Sequence, residues 1–414
     1  MQASAHARRV AELGVVAYAR RSRNVFADST RSSVNVDCLL LTALLLANLF
    51  SSTASAVQQR VFFAPSATDP AITQFNNNHY AVVDPAVTNR GRLVLFLPGT
   101  GATPFDYRLF PQNAASLGFH ALGLIYPNGS AINTLCAQNA PLDANAAGNA
   151  RLEVIDGTDR VSFLSVDSTN CIQSRLLKAL QYLNTTYPTR GWGQYYSGNA
   201  VLWNKLIVCG HSQGAGMAAM LAKTRVTDRC VMFTDMDWWV AGNRPYNWMS
   251  TTPLTPVDHW YLFAHERDQY LDFTQMQTCA TALDVSRYGA YVQVETATSA
   301  SYGGRHFLST NLEPAPAQST SYHGCPIVDA ATPLQVDGIT PVFKPVWDYM
   351  LLHDTAPITI ESASGNISVI FSPGTLEQSD DLTLWTPQPA ATSPLTMPLG
   401  TLPPRRFYRL RATP

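Results

Sequence analysis

The chain has 414 residues, enough for one large domain and a small one. Apolar residues make up 46% and charged residues only 14%, which implies a large core beneath a polar but weakly charged surface. The net charge is −1 and no basic run follows the N-terminal segment, which argues against a nucleic-acid partner.

The first 56 residues read as an export signal. Arg8, Arg9, Arg20, Arg21, Arg23 and Arg31 precede a 13-residue apolar run over 38–50. Ser51-Ser52-Thr53-Ala54-Ser55-Ala56 then ends in an A-x-A cleavage pattern before Val57. The run is short for a membrane span, which needs about 20 residues. No stable span is expected once the signal is removed, and an uncleaved anchor is the alternative. The stretch before the run is long for a leader, which points to a start downstream of Met1. Cys38 opens the run rather than closing it, which argues against a lipoprotein signal.

From 57 to about 354, strand-like runs alternate with helical ones. Residues 79–83 read as a strand. Residues 92–97 form a continuous apolar strand, stopped by Pro98-Gly99-Thr100-Gly101. The pattern predicts a helix over 105–117 and a strand over 119–125, ended by Pro127-Asn128-Gly129. Residues 131–168 show little periodicity and are expected to be an insertion or loop. A helix follows over 172–183. Leu206-Ile207-Val208 is a strand that runs into Gly210-His211-Ser212-Gln213-Gly214 and then into an Ala/Met-rich helical pattern. Strands are predicted over 231–233, 260–263 and 291–294, the last of the series. The final helix covers 342–352, with apolar Val346, Met350 and Leu351. Buried apolar strands separated by helices imply an α/β fold, with a mostly parallel sheet covered by helices on both faces.

After His353 proline is frequent and helical periodicity ends. Strand-like pieces remain at 358–360, 367–371 and 406–410. They suggest a small separate β module over 356–414, the alternative being an edge of the main domain over 57–355. Ser379-Asp380-Asp381-Leu382 with Trp385, and the terminal 406–410, resemble the small β tails of secreted environmental bacterial proteins.

Gly210-x-Ser212-x-Gly214 between a strand and a helix is the pattern of a nucleophile elbow. The turn is so tight that small residues must flank the Ser two positions away on each side. With Leu97-Pro98-Gly99-Thr100-Gly101 at an earlier strand end and the order Ser, acid, His, residues 90–354 resemble an α/β-hydrolase. Within that superfamily the chain is similar to a group of exported bacterial serine hydrolases of undefined substrate. The shared patterns are His265 to Asp268 and the ending Trp347-x-Tyr349-Met350-Leu351.

The resemblance implies a triad, and its chemistry sets the demands. A Ser hydroxyl is a weak nucleophile and needs a base, and the base needs an acid to fix its tautomer. In this fold the acid follows the Ser and the His follows the acid. That order excludes His79, His120 and His211, and His259 and His265 precede the expected acid. Asp268, in the turn after the 260–263 strand, is the expected acid; Glu266, Asp235 and Asp237 are the alternatives. His323, in Ser321-Tyr322-His323-Gly324-Cys325 before the final helix, is the expected base. His306 is its rival, and His353 ends a helix. The oxyanion would be held by the N–H groups of Gln213 and of the Gly99-Thr100-Gly101 turn, with Thr100 the expected donor. Trp238 and Trp239 are expected to form an apolar wall for substrate, or else to pack structurally.

The expectation is therefore an exported serine esterase working through an acyl-enzyme, on a small or a polymeric ester. A triad does not separate esterase from thioesterase or amidase activity. A non-catalytic protein that keeps the fold for binding or attachment is the alternative of another class. No cofactor and no metal are expected, because the chain holds no H-E-x-x-H, no C-x-x-C pair and no phosphate-binding glycine motif.

Six cysteines remain beyond the export segment, and exported chains permit disulfides. Position predicts a bridge between Cys136 and Cys171. A second, between Cys279 and Cys325, would tether the loop carrying His323. Cys209 and Cys230, near opposite ends of neighbouring strands, are expected to be buried free thiols.

Overall fold

The computed structural model describes residues 58–234, 237–353, 358–371, 375–388 and 391–411. Residues 1–56, read above as an export signal, lie outside the described residues. Nine strands form one mixed sheet: β1 (Gln59–Phe63), β2 (His79–Val83), β3 (Leu93–Leu97), β4 (His120–Gly123), β5 (Leu206–His211), β6 (Arg229–Phe233), β7 (Trp260–His265), β8 (Val292–Gln293) and β9 (Phe307–Thr310). Their spatial order is β1-β2-β4-β3-β5-β6-β7-β9-β8. β1 and β2, and β2 and β4, pair antiparallel. From β4 to β8 every pairing is parallel.

The central strands are unbroken apolar runs because both faces of the sheet are covered. Along β3, Leu93, Leu95 and Leu97 enter one core layer, while Val94 and Phe96 enter the other. The first layer also holds side chains of α2 (Ile132–Asn139), α3 (Ala146–Asp156), α4 (Ile172–Thr186), α5 (Gln213–Thr224) and α6 (Phe273–Ala282). The second holds those of α1 (Leu109–Ser116) and α7 (Lys344–Leu352). This is the α/β architecture that the alternation of strands and helices implies.

Beyond α7 the chain makes antiparallel sheets. β10 (Ile358–Ala363), β11 (Asn366–Phe371) and β14 (Leu395–Pro398) form one, in the order β10-β11-β14. β12 (Thr375–Ser379), β13 (Thr386–Pro387) and β15 (Phe407–Arg411) form the other, in the order β13-β12-β15. Val369, Phe371 and Leu376 make their small core.

Three features depart from the sequence expectation. Residues 131–168 are not a plain loop, for they carry α2 and α3. Eight of the eleven residues of α3 are buried, among them Ala146, Ala147, Arg151, Glu153 and Ile155, so no polar face marks its period. The strand series does not close at 291–294. β9 lies between β7 and the two-residue β8, and it is the longer of the two.

The third correction concerns the cysteines. All six described cysteines are free and buried, so neither predicted disulfide exists, while Cys209 and Cys230 are the free thiols expected. Cys279 lies in the first core layer and Cys325 in the second, with the sheet between them. Cys136 is buried on α2, whereas the Cys171 thiol turns back to the Ser168 carbonyl at 3.3 Å. Proximity in sequence to the site was no guide to which face Cys279 and Cys325 enter, and Cys136 and Cys171, though in one core layer, remain free thiols.

Candidate active site

The elbow between β5 and α5 follows from close packing. Ser212 sits at φ 53° and ψ −126°, a strained conformation for a residue with a side chain. A Cβ on Gly210 would lie 2.2 Å from the Gly214 carbonyl, and one on Gly214 would lie 2.0 Å from the Leu97 carbonyl oxygen. Both positions therefore exclude any side chain. Ser212 N–H donates to the Phe233 carbonyl at 2.9 Å, which pins the elbow to the end of β6.

Asp268 and His323 meet. The His323 Nδ1 lies 2.6 Å from Asp268 Oδ2, and the Asp268 side chain is wholly buried. The second carboxylate oxygen, Oδ1, accepts from the N–H groups of Tyr270 at 2.8 Å and Leu271 at 3.3 Å. The carboxylate has no proton to give, so His323 Nδ1 carries the hydrogen and Nε2 is left as the basic nitrogen. Gln269 Oε1 accepts from the His323 N–H at 2.9 Å. The Tyr270 ring meets the His323 ring edge-on, centroids 4.8 Å apart.

His323 and Ser212 line the same cavity, of about 500 Å³. Gly99, Thr100, His211 and Gln213 also line it, with Ile132, Leu271 and Met276 as an apolar wall. Gln213 opens α5, so its N–H is one of those the helix leaves without an internal acceptor. Its side chain does separate work: Oε1 accepts from Thr100 Oγ1 at 3.1 Å and from the Ile132 N–H at 3.0 Å. The 99–102 turn is further held by Asn128, whose Nδ2 donates to the carbonyls of Gly99 at 2.6 Å and Ala102 at 2.9 Å. Thr100 and Gln213 thus line the cavity with Ser212 on a braced frame.

The rival residues have other partners or places. His306 precedes β9, at the edge of the sheet opposite the elbow. Its ring is stacked between Tyr261 and Tyr288, centroids 4.3 and 3.9 Å away, with Nδ1 donating to the Trp260 carbonyl at 2.8 Å. Burial holds it down to about 3, and the bond to Trp260 offsets that only in part. Glu266 accepts from Ser309 Oγ at 2.7 Å. Asp235 lies outside the described residues. Asp237 is fully buried and pairs with Arg151, Nε to Oδ2 at 2.6 Å and Nη2 to Oδ1 at 2.5 Å. Trp248 Nε1 also donates to it at 2.8 Å. Arg151 Nη1 donates to the Gln213 carbonyl at 2.8 Å, so this pair braces the first turn of α5. A Cβ on Gly216 would fall 2.2 Å from the Arg151 guanidinium, which explains the third glycine of the elbow.

Trp238 and Trp239 are not among the residues lining the cavity, contrary to the expected apolar wall. They form a two-residue strand against Arg244–Pro245, and Trp239 Nε1 donates to the Pro141 carbonyl at 2.8 Å. The wall comes instead from Ile132 at the start of α2 and from Leu271 and Met276 after Asp268, which no motif marks in the sequence. Arg151, Asn128 and Tyr107 likewise escaped a reading built on motifs, because each acts through a contact distant in sequence. Among the described residues no three His, Cys, Asp or Glu side chains converge as metal ligands would, and no helix is long and apolar enough to cross a membrane. No protein-family model matches the chain, and no curated protein matches it.

Proposed function

We propose that the chain is an exported serine hydrolase of the α/β-hydrolase type, cleaving carboxylic esters through an acyl-enzyme. The observation that carries this reading is the 2.6 Å contact of His323 with buried Asp268, in a cavity that the strained Ser212 also lines. Ser212 Oγ would attack the ester carbonyl carbon and pass its proton to His323 Nε2. The N–H groups of Gln213 and Thr100 would receive the oxyanion. Collapse would expel the alcohol, which takes the proton back from His323, and water would release the acid by the same route. The Ile132, Leu271 and Met276 wall favours an apolar group on the buried side of the ester.

A fluorophosphonate probe tests the mechanism directly. It should label the wild-type protein at Ser212 and leave Ser212→Ala unlabelled. Loss of the nucleophile should cost on the order of 10⁶ in kcat, by comparison with another serine hydrolase. A folded Ala variant with half the wild-type activity would overturn the mechanism. Acyl esters of graded chain length, a polyester film and an acetylated polysaccharide would then define the substrate. Export is part of the same proposal, and N-terminal sequencing of secreted protein should find Val57 first.

A further inference from the structure

His211 stands next to the nucleophile, yet the mechanism above does not use it. Its ring is buried and makes two hydrogen bonds, Nε2 to the main-chain carbonyl of His323 at 3.0 Å and Nδ1 to Tyr107 Oη at 2.9 Å. A carbonyl only accepts, so Nε2 carries the hydrogen and Nδ1 accepts from the Tyr107 hydroxyl. The Tyr107 oxygen in turn accepts from the Gly99 N–H at 3.2 Å. The order is Gly99 N–H to Tyr107, Tyr107 O–H to His211, and His211 N–H to His323. Every polar group along it is satisfied, and only with a neutral His211.

Building on the hydrolase reading, we propose that His211 is a positioning residue. Together with Tyr107 it locks the base loop and the oxyanion turn to the strand that carries Ser212. The three anchors of His323 make the case. Its ring is held by Asp268, its N–H by the side chain of Gln269, and its carbonyl by His211. The first two belong to the acid turn. Without the third, Asp268 and His323 would keep their own 2.6 Å contact and shift as one unit relative to Ser212. Removal of His211 therefore leaves the acid–base pair intact and spoils its aim.

Neutrality fits the role. Burial first, and then the nearby His323, hold His211 well below the ordinary histidine value, against the pull of its bond to the His323 carbonyl. The two rings lie 4.7 Å apart, centroid to centroid. When His323 takes the Ser212 proton, the site then holds one positive imidazole rather than two.

The test compares His211→Leu, His211→Gln and Tyr107→Phe. Each is titrated to completion with a fluorophosphonate, so that kcat is expressed per competent site. Leu removes the donor to the His323 carbonyl, whereas Gln carries a side-chain N–H of similar reach. A misaimed base should lower kcat of the Leu variant by roughly 10- to 100-fold with KM little changed. The rate of fluorophosphonate inactivation should fall in parallel. Gln should restore most of the loss. Tyr107→Phe, which keeps the shape of the core, should lose several-fold, and it decides the matter if the Leu variant does not fold. Leu or Phe variants within two-fold of wild type in kcat would overturn the proposal, as would Gln performing no better than Leu. A wild-type protein that takes no label would instead refute the Ser212 reading, and this inference with it.

Discussion

Asp268→Asn tests the proposed role of Asp268 as the orienting acid with the smallest change of shape. Asp268 Oδ1 is held by two main-chain N–H groups, from Tyr270 and Leu271, and Oδ2 faces His323 Nδ1. An asparagine in this pocket must turn its carbonyl oxygen to the two N–H donors, since an amide nitrogen there would meet hydrogen with hydrogen. Its NH₂ then points at His323 Nδ1, which is forced to accept. The imidazole proton moves to Nε2, and the ring can no longer take a proton from Ser212. In a serine protease the same exchange costs about 10⁴ in kcat, equivalent to about 5.4 kcal/mol of barrier at 1.36 kcal/mol per decade. A loss on that scale is expected here at neutral pH, measured as kcat on a chromogenic ester. The fold should survive, because the backbone bonds and the volume are kept, and the thermal midpoint reports that. A folded Asn variant within ten-fold of wild type would refute the assignment of Asp268 as the orienting acid.

Arg151→Met should destabilise the protein by about 3–5 kcal/mol in a denaturant titration, because it strands the buried Asp237 carboxylate. Replacing Arg151 and Asp237 together by apolar residues should recover much of that loss. Stability should also fall in acid. Burial holds His79 and His306 down to about 3 and His120 to about 4, whereas the unfolded chain titrates them near 6.5. Their contribution is complete above pH 6.5 and is lost as pH falls towards 3–4, at about 1.4 kcal/mol per pH unit for each. His306→Asn, which keeps an N–H for the Trp260 carbonyl, should remove one such increment from the slope between pH 6 and pH 4. The thiols should be inert in the native state. Burial pushes Cys136 and Cys325 up to about 12, and the thiolate is the reactive form. Iodoacetamide at pH 8 should modify none of the six described cysteines until denaturant is added, as mass spectrometry would show.

What the sequence made legible was what depends on local pattern. Runs such as 92–97 and 206–208 read as strands because two covered faces leave them wholly apolar. The elbow reads as such because Gly210 and Gly214 are the only side chains, or absences of one, that its packing admits. The same logic fails where packing erases the pattern. α3 is buried nearly all round, so its Ala-rich segment shows no stripe and reads as a loop. Chain position likewise cannot tell which face of the sheet a side chain enters. Cys279 and Cys325 flank the site in sequence but lie in opposite core layers. Trp238 and Trp239 follow a central strand, yet they fold into a short pairing with Arg244–Pro245 rather than into the cavity wall.

On the proposed mechanism, the strand order explains why the base would come from a long connection. β3 and β5 are neighbours, which brings the Gly99–Thr100 turn beside Ser212. β7, which delivers Asp268, is two strands from β5, with β6 between them. At about 4.8 Å per strand that separation is roughly 10 Å, too far for a carboxylate to touch a serine hydroxyl directly. A side chain arriving from elsewhere must span the gap. All these strands run parallel, so their C-terminal ends share one edge, and a residue that enters at the N-terminal end of a strand is on the wrong side. His306, just before β9, is so placed, and its stacking between two tyrosines is what a structural histidine does. The chain beyond β9 starts at the correct edge, and it runs from Thr310 to Lys344 before α7 begins. That length lets His323 fold back over the end of β7 to Asp268. A segment so long needs bracing where its aim matters, and the hydrogen bonds that Gln269 and His211 make to the two sides of the His323 backbone supply it.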